Sequence, residues 1–381
     1  MATSPVRLTS FLIKIASRCN LACDYCYMYE HADQTWRNQP AIMSDAVTEA
    51  LARRVAEYVC QEDIRAISMI FHGGEPLLAG ASRLAETAQR VRNAVSPQTT
   101  ITFSVQTNGT LLNERALGLL GEAGILVSLS IDGGKEVHDL HRRDHGGQSS
   151  FEGTLKALEL LEANRKIYGG LLSVVDPSVA PEDLFEFFGP RMPPVWDFLL
   201  PDAHHERLPP GRDSDPALYE RWLLRAFDVW FDKYPEVPVR TFDALLAVCA
   251  GLPSETDAFG LGAPNLLTIE TDGSYHDLDV LKITKDGATS LDMNLDRHAV
   301  AEAANSPKFL AHSSLKRLDG LAGVCQCCPE VNVCGGGAVP HRYSHSGMRN
   351  PTVYCVEMLS LIGHARRRMN DIVAPNRTAL S

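Results

Sequence analysis

No apolar stretch in this chain approaches the run of about 18 to 20 residues that spans a bilayer. The N-terminal MATSPVRLTSFLIKIASRCN also lacks the charged start, apolar core and small-residue cleavage site of a secretory signal. Both absences point to a cytoplasmic protein without a membrane partner. Positive charge is scarce: 36 Lys and Arg against 47 Asp and Glu leave a formal net charge of -11, which repels phosphate backbones and argues against a nucleic-acid partner. Internal repeats and low-complexity tracts are missing too. Cysteine is absent from most of the chain: of ten, three lie at 19 to 26, five at 325 to 355, and only Cys60 and Cys249 fall elsewhere. In a reducing compartment such clustering reads as metal ligands or buried thiols, not disulfides. Cys60 and Cys249, on helical faces, are expected to be buried structural thiols.

What is present suits a folded globular protein. Hydrophobic residues make up 45% of the 381 and charged residues 22%, enough for a sizeable core and too apolar for disorder. Short β-type runs alternate with amphipathic helical ones: RLTSFLIKIA, then SDAVTEALARRVAEYV with Ser44 as N-cap, then AISMIFHGGEP. The pattern continues through TTITFSVQTNG, NERALGLLGEAG with Gly124 as its stop, ILVSLSIDG, FEGTLKALELLEANRK, LLSVVDP, PEDLFEFFG and VWDFLLP. About six such β-α units predict an α/β fold, a partial (β/α)6 TIM-like barrel over residues 1–235. A long loop at 201–216, helical segments, and a hairpin turning at Asp272-Gly273 follow, so residues 236–381 are read as a smaller C-terminal α+β domain.

The polar signals fall where strands end. The cysteine loop, His72-Gly73-Gly74-Glu75-Pro76, Gln106-Thr107-Asn108-Gly109 and Ser130-Ile131-Asp132-Gly133 each follow a predicted strand. The carboxyl ends of parallel strands are where such folds hold their chemistry. Cys19, Cys23 and Cys26 form C-x3-C-x2-C, three thiolates where structural zinc wants a second cysteine pair that the following residues do not supply. A [4Fe-4S] cluster held by three thiolates leaves one iron open to an exogenous ligand.

Cys19, Cys23, Tyr25 and Cys26 match C-x3-C-x-aromatic-C, and in this the chain resembles the radical S-adenosylmethionine (radical SAM) superfamily. The resemblance implies that SAM completes the coordination and yields a 5'-deoxyadenosyl radical that abstracts hydrogen from the substrate. It further implies that Gly73, Gly74 and Glu75 hold the methionine ammonium, that Asn108 and Ser130 meet the ribose and carboxylate, and that Arg142 pairs with that carboxylate. A guanidinium fork suits a carboxylate better than an ammonium does.

In the tail, Cys325, Cys328 and Cys334 form C-x2-C-x5-C, with Cys355 beyond a loop. This resembles the SPASM domain of radical SAM enzymes that modify peptides and proteins, which implies an auxiliary [4Fe-4S] cluster held by these four thiolates. Ala338 and Leu278 stand where that family places ligands of a second auxiliary cluster, so one auxiliary cluster is expected. Cys327 could replace Cys325 or Cys328, and a four-cysteine zinc ribbon is the alternative for this region.

The segments YEHADQTWR, LLPDAHHE, DGSYHDLDVLK and VCGGGAVPHRYSHSGMRNPTVYC resemble the FxsB-type maturases of ribosomally made peptides. That resemblance implies a cyclophane cross-link between an aromatic ring and a nearby Cβ in a precursor peptide. Recognition of the peptide leader is then expected on another surface or partner, since no winged-helix domain precedes the first strand. A flavodoxin- or ferredoxin-type one-electron reductant is the other expected partner. Asp279, where sulfatase maturases place a catalytic carboxylate, is the first candidate base, with Asp202, His204 and His205 as rivals. An anaerobic, formylglycine-generating sulfatase maturase is the second reading, and a non-catalytic iron-sulfur electron carrier the third.

Overall fold

The computed structural model describes residues 6–254, 256–262 and 265–378. In chain order its main elements are β1 (Ser10–Ala16), α1 (Asp45–Gln61), β2 (Ala66–Gly73), α2 (Ala81–Ala94), β3 (Thr100–Thr107), α3 (Glu114–Glu122), β4 (Ile125–Ser130), α4 (Lys135–His141), α5 (Phe151–Ala163) and β5 (Tyr168–Val174). Next come α6 (Pro181–Phe188), β6 (Trp196–Leu199), α7 (Leu218–Lys233), α8 (Arg240–Cys249), β7 (Leu266–Ile269), β8 (Ser274–His276) and β9 (Ser290–Asn294). Shorter helical turns and a long helix, Cys355–Thr378, complete the chain.

The chain divides into two compact units, residues 1–172 with 264–312, and residues 173–263 with 313–381. In the first, the strands lie in the order β5-β4-β3-β2-β1-β7-β8-β9. Every pair from β5 to β7 is parallel, while β7-β8 and β8-β9 are antiparallel. The expected α/β class with a parallel sheet is therefore present, and the hairpin turns at Asp272-Gly273, where Gly273 has a φ of 83°. The units differ from the division expected at residue 236, because β7 pairs with the free edge of β1 and buries Leu267 and Ile269 completely.

Local sequence explains the helices of this unit. The Ser44 hydroxyl accepts the Val47 N–H at the start of α1, and Asn113 caps α3 through Ala116 N–H. Leu51, Val55, Tyr58 and Val59 recur at helical spacing and are buried, each such side chain contributing about 1.5 to 3 kcal/mol. Strands covered on both faces read as continuous apolar runs, as in β1, where six of seven residues are buried.

The second unit packs around aromatic rings, among them Phe185, Phe188, Trp196, Phe198, Phe227, Trp230 and Phe242. The indole N–H of Trp196 reaches Ser173 Oγ at 2.9 Å and that of Trp230 reaches Val237 O at 2.9 Å, so neither buried ring leaves a donor unmet. Met358, Leu361, Ile362 and Ala365 form the buried stripe of the long C-terminal helix. Among the described residues no helix is long and apolar enough to cross a membrane. Cys60 is exposed and Cys249 half-buried, so neither is the fully buried thiol expected; α1 and α8 turn these positions away from their apolar stripes.

Candidate active site

Parallel pairing brings the carboxyl ends of β1 to β4 to one edge, and the four sequence signals with them. At the end of β2 the Gly73-Gly74 pair packs against the chain leaving β1: Gly74 N–H donates to Ala16 O (3.0 Å) and Glu75 N–H to Arg18 O (2.9 Å). A Cβ on Gly73 would lie 2.0 Å from Ala16 O, and one on Gly74 2.4 Å from Arg18 O, so only glycine permits this approach. The Glu75 carboxylate is fully buried and accepts from Leu77 N–H (2.9 Å), Thr107 Oγ1 (2.7 Å) and Asn108 N–H (2.8 Å). It therefore braces the end of β3 against the glycine turn. Burial pushes its pKa up against those three donors.

The cysteine loop is tied to the same edge. Asn108 Nδ2 donates to Asn20 Oδ1 (2.9 Å) and lies 3.8 Å from Cys19 Sγ, while Leu21 N–H points at Cys19 Sγ from 3.4 Å. Amide donors on a cysteine sulfur are the outer contacts that tune iron-sulfur centres. The Tyr25 hydroxyl donates to Asp132 Oδ2 (2.6 Å) and accepts from Arg142 Nη1 (2.6 Å), joining the loop to β4 and α4. Gln106 Nε2 donates to Ser130 Oγ (2.7 Å).

Burial pushes the Cys19 thiol up to about 12 and the Cys26 thiol to about 11, and raises Cys23 as well. Thiols in such a pocket ionise only against a metal. Among the described residues, no three His, Cys, Asp or Glu side chains converge on a single ion. Arg142 is 7% exposed, and among the described residues its buried Nε has no hydrogen-bond partner, an unmet donor suited to an incoming carboxylate. Burial opposes the Arg142 charge, but Tyr25, Asp132 and Cys23 outweigh it, so the guanidinium stays charged. The residues present fit a SAM-binding [4Fe-4S] cluster.

The sequence reading missed a buried charge cluster centred on Asp279. Lys14, wholly buried in the middle of β1, pairs with Asp279 and reaches Tyr27 Oη (3.0 Å) and His72 Nδ1 (3.3 Å). The Tyr27 hydroxyl donates to Asp279, and Lys282 pairs with Glu270 and lies 3.3 Å from Asp279 Oδ1 without hydrogen-bond alignment. Burial alone would raise the Asp279 pKa, but the Lys14 and Lys282 ammoniums and His72 hold it far below the usual carboxylate range. Burial, then Lys14, pushes His72 down to about 3. The readable signal was Lys14 itself, a lone charge within FLIKIA.

In the second unit the four tail cysteines are near enough to act on one another. The Cys355 thiol is raised first by burial and then by Cys334, Cys325 and Cys328, whereas Cys327 is exposed. Helical turns at Gly323–Gln326 and Val331–Cys334 carry Cys325 and Cys334, Cys328 lies between them, and Cys355 opens the long helix. Four neighbouring thiols that do not close on a single ion are the donor set of an all-cysteine [4Fe-4S] site. Asp202, His204 and His205 also lie in this unit. His204 is buried with Nδ1 accepting Glu206 N–H (3.1 Å), and its ring packs on Tyr343. His205 Nε2 reaches Pro351 O (2.8 Å), and Asp202 Oδ1 lies 3.9 Å from His341 Nε2. The two histidines thus fasten the 201–216 loop to the tail.

Comparison with known proteins agrees with the geometry at the first site. A family model described as the radical SAM superfamily matches residues 13–188. A cysteine-type anaerobic sulfatase-maturating enzyme of Clostridium perfringens (strain 13 / Type A) is 30% identical over 337 residues, covering 86% of this chain and 88% of that protein. A serine-type anaerobic sulfatase-maturating enzyme of Klebsiella aerogenes is 28% identical over 389 residues, covering 98% of this chain and 87% of that one. A solved structure described as native anSMEcpe with bound AdoMet and Kp18Cys peptide matches with a TM-score of 0.82 at 27% identity, covering 96% of this chain and 99% of that chain.

These findings overturn the expected cyclophane cross-linking, since the proteins that align across nearly the whole chain are sulfatase-maturating enzymes. The tail motif that suggested cross-linking is made of neighbouring cysteines, a glycine loop and a buried arginine that the loop carbonyls hold, none of which specifies a substrate. The expected cofactors, a SAM-binding [4Fe-4S] cluster, SAM and an auxiliary [4Fe-4S] cluster, agree with this relationship. The chain belongs to the radical SAM superfamily, with close homology to its anaerobic sulfatase-maturating enzymes.

Proposed function

We propose that this enzyme oxidises a cysteine or serine side chain of a peptide substrate to formylglycine. The observation that carries the reading is that Tyr27, directly after Cys26, holds the buried Asp279 carboxylate, which sets a base beside the loop where a radical would form. The extent of alignment with sulfatase-maturating enzymes supports the same reading. When bound, the cluster of Cys19, Cys23 and Cys26 with SAM supplies a carbon-centred radical that removes one hydrogen atom from the substrate Cβ.

Going from a thiol or hydroxyl carbon to the aldehyde level also takes one electron and one proton. Asp279 receives the proton. Its ammonium neighbours make it a weak base, which is sufficient, because the S–H or O–H of a carbon that has lost an electron is strongly acidic. Cys325, Cys328, Cys334 and Cys355 would hold an auxiliary cluster able to accept the electron, and in the cysteine case water then replaces the sulfur, which leaves as hydrogen sulfide. Arg142 and Asn108 orient SAM, and Glu75 keeps the glycine turn in register. The cluster that Cys19, Cys23 and Cys26 would hold would draw its electron from an external one-electron carrier of flavodoxin or ferredoxin type.

The test is anaerobic incubation with SAM, dithionite and a sulfatase-type peptide carrying cysteine, serine or alanine at the target position. The expected result is 5'-deoxyadenosine together with an aldehyde that a hydrazide captures on the cysteine or serine peptide only. Peptide that loses two hydrogens without hydrazide reactivity, or 5'-deoxyadenosine with no peptide change for either residue, rejects the reading.

A further inference from the structure

Among the described residues, two cations of the second unit are buried without a carboxylate partner. Arg342 is 1% exposed, and its guanidinium donates to four backbone carbonyls: Gly336 O (2.9 Å), Leu315 O (2.8 Å), Gly335 O (2.8 Å) and Gly337 O (2.5 Å). Lys316 is 5% exposed and donates to Asp257 O (2.9 Å). Among the described residues neither has a carboxylate oxygen within ion-pairing distance; the Asp257 side chain acts on Lys316 only through its field. Buried charge of this kind is costly unless something of opposite sign faces it.

The local fold is built around Arg342. Gly335, Gly336 and Gly337 follow Cys334 directly, all three at positive φ, and this left-handed turn aims their carbonyls at the guanidinium. A Cβ on Gly335 would lie 1.8 Å from Gly260 O, and one on Gly336 3.0 Å from Arg342 Cζ, so the cage admits no side chain. Both cations share one neighbourhood, in which Cys334 acts on each and Cys325 on Arg342. An oxidised [4Fe-4S] core carries two positive charges against four thiolates, leaving two negative charges, and one-electron reduction makes that three. Two buried cations beside these sulfurs balance that charge.

We propose that Arg342 and Lys316 are the counter-charges of the auxiliary cluster and raise its reduction potential, making it a better acceptor for the electron released by substrate oxidation. This rests on the auxiliary-cluster reading given above. A nearby cation favours the more negative, reduced state, so removing it lowers the potential. Both are positioning residues that act through the cluster, without touching substrate.

The test uses the full-length chain carrying Cys19→Ala, Cys23→Ala and Cys26→Ala, reconstituted anaerobically so that only the auxiliary cluster is read by iron analysis and EPR-monitored redox titration. The background chain is expected to keep about four irons. Arg342→Met and Lys316→Met are each expected to shift the reduction equilibrium at least tenfold toward the oxidised state, about 59 mV for one electron. Arg342→Lys and Lys316→Arg are expected to recover most of that shift. Should Arg342→Met fail to hold iron, Lys316→Met decides, since it removes a charge and a single carbonyl contact. Unchanged potentials with iron intact overturn the proposal. So does loss of iron from Arg342→Lys as from Arg342→Met with an unmoved potential in Lys316→Met, which would make Arg342 a loop clamp. A background chain that binds no iron instead removes the auxiliary-cluster reading itself.

Discussion

The Tyr27 hydroxyl donates to the Asp279 carboxylate from 252 residues away in sequence, linking the residue after Cys26 to the first residue of the turn after β8. Asp279→Asn is expected to cut aldehyde formation by about 100- to 10,000-fold, the usual range for a general base, while SAM is still cleaved. It also leaves Lys14 and Lys282 facing each other without their shared anion, so thermal stability should fall by about 3 to 5 kcal/mol. Tyr27→Phe keeps the carboxylate and its lysines. Its aldehyde formation should drop about tenfold, close to 1.4 kcal/mol in barrier, with SAM affinity unchanged. Measuring 5'-deoxyadenosine and aldehyde separately checks both variants, and equal losses of the two products would place Tyr27 and Asp279 in SAM binding instead.

Arg142 offers a fork, not simply a charge. One arm holds Tyr25 at 2.6 Å while the buried Nε is unmet. Lysine supplies a single ammonium and cannot do both. Arg142→Lys should therefore weaken SAM binding by at least tenfold and leave the iron content of the first cluster intact, read by equilibrium dialysis of SAM and by iron assay. Tight SAM binding in the variant would assign Arg142 to bracing the cysteine loop alone.

Much of this site was legible because parallel strands convert sequence order into spatial order. Gly73 and Ser130 end their strands, Cys19 and Asn108 follow theirs, and the pairing of β1 to β4 brings all four to one edge. The partners within that edge were less visible, because Asp132, Thr107 and Asn20 are ordinary residues whose role depends on a hydrogen bond of two or three ångströms. The charge cluster around Asp279 was hidden for another reason: Lys14 and Lys282 meet only because a four-residue strand, β7, pairs with β1. No local propensity encodes that long-range pairing, which is also why the boundary drawn at residue 236 missed it. The tail misled on function since its glycines and cysteines group around Arg342 and specify no substrate.

The count of clusters is a direct consequence of the cysteine positions. Leu278 is buried and Ala338 carries no ligand atom, so a second auxiliary cluster lacks its thiolates. Anaerobically reconstituted protein should hold about eight irons per chain, from two [4Fe-4S] clusters. Cys19→Ala with Cys23→Ala and Cys26→Ala should remove about half of them, and Cys328→Ala the other half. Cys327→Ser, on an exposed thiol, should change nothing. Iron lost from Cys327→Ser but kept in Cys328→Ala would exchange the roles of these neighbours.

Stability should fall between neutral and mildly acidic pH because several histidines are buried in the neutral form. His138 is fully buried, with Nε2 2.8 Å from Ser150 Oγ, its ring edge-on to Phe151 and Nδ1 without a partner. Burial first, and then the Arg142 charge, pushes its pKa from 6.5 down to about 3. Between those two values the unfolded chain binds a proton that the folded chain refuses, so stability is complete above pH 6.5 and declines as the pH drops toward 3. At pH 5 the cost from this one ring is about 2 kcal/mol. His72, pushed to about 3, and His341, pushed to about 4, act in the same direction. His138→Gln keeps a donor for Ser150 but cannot titrate. Its melting temperature should therefore fall less between pH 7.5 and pH 5 than that of the unaltered protein, and an identical fall in both would show that His138 charges without unfolding.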